Sequence, residues 1–390
     1  MTFLESNHLY KKKQSHARVD SRARLWIIES MKTDEIFVSA PGRICLFGEH
    51  QDYFSLPIIA AAINLRIFIR GKPRNDRFVK IDLPDLGEME EFSLEKELSY
   101  EKERDYLRSA VNILRRKGLR FDSGWECQLH GTIPINAGTS SSSALVIAWT
   151  KFLLEAAGNK SLNFPEQIAE LGFLTEVAEF HEPGGKMDHY ASALGGIVNV
   201  SFEDELRVRK LKNPLKRFVL ANSLQKKDTT GMLGYIKSHV LEGMRVIREK
   251  IEDFDLKRPL GEREKEEIQL LPRNNSRLLM GTLLTRDFTV EGKDLFEEEE
   301  FDHKKFGELL TRQHKVLRDF LQTSTPKIDK MLDAALAAGA LGGKLNGSGG
   351  GGCMFAYAPE KTEQVAEAIE KIGAKVHIIH VDEGVRKEEG

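Results

Sequence analysis

Apolar and polar positions change period several times along the chain, and each change marks an element. Ile36-Phe37-Val38-Ser39 is a strand pattern closed by Pro41-Gly42, and a second strand pattern follows from Ile44 to Phe47. Residues 58–70 are first continuously apolar, then alternate, and end at Gly71-Lys72-Pro73. The stretch 88–98 is acidic and reads as peripheral. Within 106–116, Leu107, Val111 and Leu114 recur at helical spacing on one face, whereas 125–133 alternates as a strand does. Residues 144–157 are almost wholly apolar, which predicts a deeply buried helix. A helix over 164–181 and a strand over 191–200 complete the first half. Beyond Phe202 the texture changes to charged helical stretches at 231–254 and 303–321, with an acidic connector at Glu297 to Glu300. The C-terminal end reads as a glycine-rich loop, a strand at 353–357, a helix at 360–372 and a strand at 374–381. No internal repeat is found. A boundary near 202–215 divides a mixed N-terminal half from a C-terminal half that begins helical and ends βαβ.

The length of 390 residues fits two or three domains of ordinary size. Hydrophobic residues at 41% and charged residues at 30% exclude global disorder. The 58 basic side chains against 60 acidic ones leave a formal charge of −2, which removes the electrostatic case for a dedicated nucleic-acid binder. The longest apolar run, Leu56 to Ile63, is far shorter than the roughly 18–20 residues that span a bilayer. No continuous apolar core of a secretion signal occurs in the first thirty residues, so no membrane partner is expected. Cys45, Cys127 and Cys353 include no CxxC pair, which argues against a thiolate zinc site or a disulfide framework and for a cytoplasmic setting. Residues 1–34 are read as a disordered leader, with Met31 as the expected natural start. Domains are expected at 35–205 and 206–390. One feature of the composition is less ordinary: the 32 glycines are bunched.

Four clusters carry candidate chemistry. Gly138-Thr139-Ser140-Ser141-Ser142-Ser143 lies between a strand and the buried helix. Small residues let backbone approach a ligand, hydroxyls donate hydrogen bonds, and a helix N-terminus presents unpaired N–H groups, a combination suited to an anion. A flexible Ser-rich turn with an N-cap is the other reading. No Gly-Lys-Ser/Thr follows, so this is not a Walker A loop. Gly347-Ser348-Gly349-Gly350-Gly351-Gly352 contains G-x-G-x-x-G, but a strand follows it rather than a helix, which excludes a dinucleotide fingerprint. It suggests close backbone packing, against another loop or a phosphate. Pro41-Gly42-Arg43 and Gly48-Glu49-His50-Gln51-Asp52-Tyr53 gather a cation, two carboxylates and an imidazole. That set of directional donors and acceptors suits a polyol, and equally a solvated, salt-bridged loop. Pro183-Gly184-Gly185-Lys186-Met187-Asp188-His189 turns sharply out of a helix bearing Glu176 and Glu179, where an acidic residue is most often a turn-former.

Taken in order, these clusters resemble the GHMP kinase superfamily, and within it galactokinases most closely. The segment Gly42 to Tyr53 is similar to the galactokinase signature, Pro134 to Ala144 to the phosphate-binding loop, Met187 to Gly195 to the segment with the catalytic aspartate, and Gly347 to Cys353 to the third motif. The resemblance implies an α+β, two-domain fold, with an N-terminal ribosomal-protein-S5-like mixed domain, a C-terminal α/β ferredoxin-like domain and an active site in the cleft between them. It implies ATP-dependent phosphorylation of a monosaccharide at its anomeric hydroxyl, with ATP and Mg²⁺ as cofactors and a monomer or homodimer as the assembly. Asp188 would be the base, with Arg43 lowering its pKa and stabilising transferred charge. Glu49, His50, Asp52 and Gly185 would bind the sugar. Gly138, Ser140, Ser141, Ser142, Ser143 and Gly349 would hold the triphosphate, and Ser142 with Glu176 would hold Mg²⁺. Galactokinases usually have Asn where Cys45 stands and an Asn-Gly-Gly turn in place of Phe54-Ser55-Leu56. Acceptors such as a uronic acid, arabinose or mevalonate therefore stay open, although mevalonate kinases tend to carry Lys at the Arg43 position. A galactokinase-like sensor that binds sugar without turning it over is the alternative from another class.

Overall fold

The structure, a computed structural model, describes residues 35–135, 137–202, 205–226 and 229–389; the leader and the expected start at Met31 lie outside them. Strands β1 (Ile36–Phe47), β2 (Ile58–Arg74), β3 (Phe78–Leu83), β4 (Glu88–Ser93), β5 (Gly124–Gly131), β6 (Ile197–Phe202) and β7 (Leu206–Leu211) belong to one mixed sheet. Strands β8 (Phe218–Asn222), β9 (Gly342–Leu345), β10 (Cys353–Tyr357) and β11 (Lys375–Ile379) form a second, antiparallel sheet ordered β11-β8-β10-β9. The last strand, β12 (Arg386–Lys387), returns to the first sheet beside β1. Long strand β2 organises that sheet: its start pairs with β6, its later part with β5, and β1 runs antiparallel along it.

Helices α1 (Tyr106–Arg116), α2 (Ser141–Ala156), α3 (Pro165–Phe173) and α4 (Met187–Leu194) accompany the first sheet. Helix α1 starts where Asp105 accepts from the Arg108 N–H and buries the predicted Leu107, Val111 and Leu114 face. The apolar helix α2 is buried as its sequence requires, with Trp149 and Phe152 stacked at 5.4 Å. The C-terminal half adds α5 (Thr229–Arg248), α6 (Glu262–Gln269), α7 (Arg273–Glu297), α8 (His303–Asp319), α9 (Pro326–Ala337) and α10 (Thr362–Glu370). A third apolar cluster joins the halves: Phe47 and Ile59 from the first sheet meet Phe218, Phe306 and Phe355. None of the described helices is long and apolar enough to cross a membrane.

Several expectations from the pattern change in the structure. The two strands expected at 36–39 and 44–47 are one strand, because β1 absorbs Pro41-Gly42 as a register shift between Pro41 and Arg43. The single helix expected over 164–181 is α3 followed by a π-helical turn, Leu174–Ala178. Residues 191–194, expected as strand, finish α4; Gly195 and Gly196, both at positive φ, end it before β6. Helix α7 escaped the pattern because its buried residues, among them Leu278, Leu279, Thr282 and Phe296, follow no narrow stripe. Strand β7 pairs with β6, so a boundary between 205 and 206 falls inside a hairpin of the first sheet. The C-terminal segment also crosses back: buried Arg66 holds the Asp382 carboxylate at 2.9 Å and the carbonyls of Glu383 and Gly384.

Candidate active site

The register shift in β1 and the first turn of α4 bring together Arg43 and Asp188, the two side chains expected to carry the chemistry. Arg43 Nε donates to Asp188 Oδ1 at 2.8 Å, and Arg43 Nη1 donates to the Gly138 carbonyl at 2.6 Å. Burial works against the ionised form of Asp188, but the Arg43 guanidinium and the nearby Ser140 hydroxyl outweigh it and hold the carboxyl below its usual range. The Asp188 side chain keeps 29% of its surface exposed, toward a cavity between the two halves that both residues line.

Asp52 opens a short 3₁₀ turn and accepts the Met187 N–H at 3.0 Å, so it caps α4 from another segment as well as facing the cavity. A Cβ on Gly185 would overlap the Asp52 carboxylate, which explains glycine there by close approach. Burial, with the Asp188 charge nearby, raises the pKa of Asp52. Asp52→Asn should preserve the cap, because an amide oxygen still accepts from Met187, whereas Asp52→Ala should lose it. We therefore expect Asp52→Asn to act mainly on acceptor KM, and Asp52→Ala to lower kcat as well, by about tenfold, the scale of a lost charge-assisted hydrogen bond. Equal kcat for the two variants in steady-state assays would separate Asp52 from the placement of Asp188.

His50 also lines the cavity; its Nδ1 lies 2.9 Å from the Tyr53 hydroxyl and its Nε2 3.1 Å from the Ser348 carbonyl. A carbonyl only accepts, so Nε2 carries the proton and Nδ1 accepts from the phenol. Glu49 reaches the cavity wall, yet its carboxylate is already paired with Lys344 Nζ and takes a 3.3 Å hydrogen bond from Gln313 Nε2. Lys344 is fully buried and also donates to the Cys45 carbonyl at 2.9 Å; burial pushes its pKa down. Removing one member of such a pair leaves a buried charge unpaired, at a cost of about 3–5 kcal/mol. Glu49 thus ties the two halves together.

Gly138 and Ser140 to Ser143 line the same cavity. Ser140 sits at φ +58° and makes no side-chain capping hydrogen bond to α2, which leaves that helix N-terminus turned to the cavity for an anion. Glu176, on the π-helical turn, lines the same cavity and lies 2.8 Å from His189 Nε2 through Oε2. Of the expected phosphate-loop residues, Gly349 is placed elsewhere. A Cβ there would run into Thr323, and Gly347 and Ser348 are the members of that motif that line the cavity.

Sequence reasoning did not single out His189, Lys344 or the group formed by Arg104, Tyr106, Glu182, Thr229, Thr230 and Leu233. Arg104 Nε lies 2.8 Å from Glu182, Arg104 Nη2 donates to Thr230 Oγ1 at 2.6 Å, and the Tyr106 hydroxyl donates to Glu182 at 2.9 Å. That group joins three distant segments and has no local signal. Lys344 had one: a lone cation within a short strand otherwise made of glycine and leucine, just before the glycine loop. Among the described residues no cluster of three His, Cys, Asp or Glu side chains suits a metal. The sparse pair of Ser142 and Glu176 fits an ion that takes most of its ligands from phosphate and water, as Mg²⁺ does.

Residues 105–196 match the GHMP kinases N terminal domain, 294–376 the GHMP kinases C terminal domain, and 29–73 the galactokinase galactose-binding signature. The chain is 30% identical over 365 residues to mevalonate kinase of Thermococcus gammatolerans, covering 91% of this chain and 98% of that protein. It is 29% identical over 359 residues to galactokinase of Pasteurella multocida, covering 86% and 89%. The fold is similar to that of Lactococcus lactis galactokinase complexed with galactose, with a TM-score of 0.79 at 22% identity over 91% of this chain and 96% of that one.

Proposed function

The chain belongs to the GHMP kinases, small-molecule kinases that use ATP, and we propose that it phosphorylates a neutral monosaccharide at its anomeric hydroxyl. One observation carries the choice of acceptor. The sugar-facing wall presents the carboxylates of Asp52 and Asp188, Glu49 being held by Lys344, while the Arg43 guanidinium is already engaged by Asp188 and Gly138. A neutral polyol brings donors to those acceptors. The carboxylate of mevalonate or of a uronic acid would meet like charge.

In this reading Asp188, kept ionised by Arg43, accepts the proton of the attacking hydroxyl, and Arg43 steadies charge on the transferred phosphoryl group. Asp52 orients the sugar from one side, where the His50 ring forms part of the wall, and the Gly185 backbone leaves room beside them. The loop of Gly138 and Ser140 to Ser143, with the α2 N-terminus, receives the phosphates of ATP. Ser142 and Glu176 would hold Mg²⁺, which supplies neutralisation of phosphate charge when bound.

Mevalonate is the second reading, supported by the mevalonate kinases among the relatives. ADP release measured across neutral aldoses, a uronic acid and mevalonate decides between them. We expect a neutral sugar to exceed mevalonate in kcat/KM by about a hundredfold, the scale of a misplaced buried charge. Preference for mevalonate would overturn the sugar assignment. Sugar binding without any ADP release would instead identify a sensor.

A further inference from the structure

The carbonyls of the phosphate loop are turned into the protein. The Ala137 oxygen accepts from the Cys353 N–H at 2.7 Å, the Thr139 oxygen from the Arg43 N–H at 3.2 Å, and the Ser140 oxygen from the Ala144 N–H at 2.9 Å. Between them the Gly138 oxygen takes two side-chain donors, Arg43 Nη1 at 2.6 Å and Asn346 Nδ2 at 2.9 Å. An anion loop works by presenting N–H dipoles, and a single carbonyl rotated outward would face the phosphates with negative charge. Gly138 is the peptide most free to rotate, since it is a glycine at φ +89°.

Asn346 follows β9 in the C-terminal half and is buried, with both ends of its amide used. Oδ1 accepts from the Cys45 N–H of β1 at 2.9 Å, and Nδ2 donates to Gly138. The partners fix the orientation of the amide, because an N–H only donates and a carbonyl only accepts. Gly347 continues the same approach: a Cβ there would lie 2.8 Å from the Gly138 oxygen. The glycine-rich third motif therefore packs on the first loop, and Asn346 spans the signature strand, that loop and the C-terminal half.

We propose that Asn346 is a positioning residue for the nucleotide's phosphates, acting by holding the Gly138 carbonyl turned away from the cavity. The inference rests on the kinase reading only in that the loop receives a triphosphate; it does not depend on which acceptor is used. Asn346→Asp keeps an acceptor for Cys45 but replaces the donor to Gly138 with an oxygen. Asn346→Leu removes the donor without adding charge.

The test is titration of AMP-PNP and of adenosine into the wild-type chain and both variants, with thermal unfolding to select folded protein. AMP-PNP affinity should fall about tenfold in each variant, the scale of one lost hydrogen bond to a loop that must stay ordered, while adenosine affinity and acceptor KM stay within about twofold. Unchanged AMP-PNP affinity in a folded variant would overturn the proposal. So would parallel loss for adenosine, which marks general loosening of the site. Failure of wild-type protein to bind AMP-PNP would overturn the kinase reading and this proposal together. Absence of sugar turnover with AMP-PNP binding intact would count against the sugar assignment alone.

Discussion

Asp188→Asn should lower kcat by about a thousandfold, the range of a general base removed from proton transfer, while AMP-PNP binds within about twofold of wild type. Asparagine has the size of aspartate, and its Oδ1 still accepts from Arg43 Nε, so the geometry around α4 is expected to persist. Lost are the negative charge and a site for the acceptor proton. The nucleotide contacts assigned to residues 138–143 lie on another segment, and its links to Asp188 through Arg43 and Ser140 can be kept by the amide. Steady-state kinetics and direct titration together decide: residual kcat above about a tenth of wild type would make Asp188 an orienting group rather than a base.

The second large effect is expected at Arg43. Arg43→Gln should cut kcat/KM by about 10²–10³-fold, as removal of a preorganised donor at a site of developing charge does. It should also shift the pH profile. In the native site Arg43 holds the Asp188 pKa below the ordinary carboxylate range against the effect of burial. The acidic limb due to this group therefore lies at low pH. Without the guanidinium, burial is opposed only by lesser contacts such as the Ser140 hydroxyl, the pKa rises, and the limb moves toward neutrality. Stability follows the same sign. A carboxyl with a depressed folded-state pKa contributes stability above its unfolded pKa and loses it as pH falls through the folded value, and the variant should lose that contribution. An acidic limb that stays in place in Arg43→Gln would show that Asp188 does not set it.

Much of the site was legible because its motifs are local. Strand, glycine and carboxylate in 42–53, the serine run before α2, and the Gly-Gly turn before Asp188 each announce a backbone that approaches a ligand. The cavity gathers Arg43, Glu49, His50, Asp52, the serines, Glu176 and Asp188 as those motifs suggested. The double duties were not legible. Asp52 looks like a sugar ligand in sequence, yet its hydrogen bond to Met187 N makes it part of the support for α4. Glu49 looks free, yet Lys344 pairs with it from 295 residues away. Gly349 belongs to a motif that reads as ligand-facing, yet it packs on Thr323.

By itself the sequence determined where the chain is helical or extended over most of its first half, because the 2 and 3.6 residue periods are local properties of each segment. It also carried the chemistry of each loop, since donors, acceptors and glycines are read directly. Only the tertiary structure decided which of those groups meet. The start of β2 pairs with β6 because the two strands lie side by side in the folded sheet, and Asn346 reaches Cys45 across 301 positions because a second sheet docks on the first through Phe47, Phe218 and Phe306. Hydrogen-bond partners so distant leave no periodic trace in either segment. Whether a buried lysine, amide or carboxylate touches a ligand or another side chain is therefore settled by packing alone.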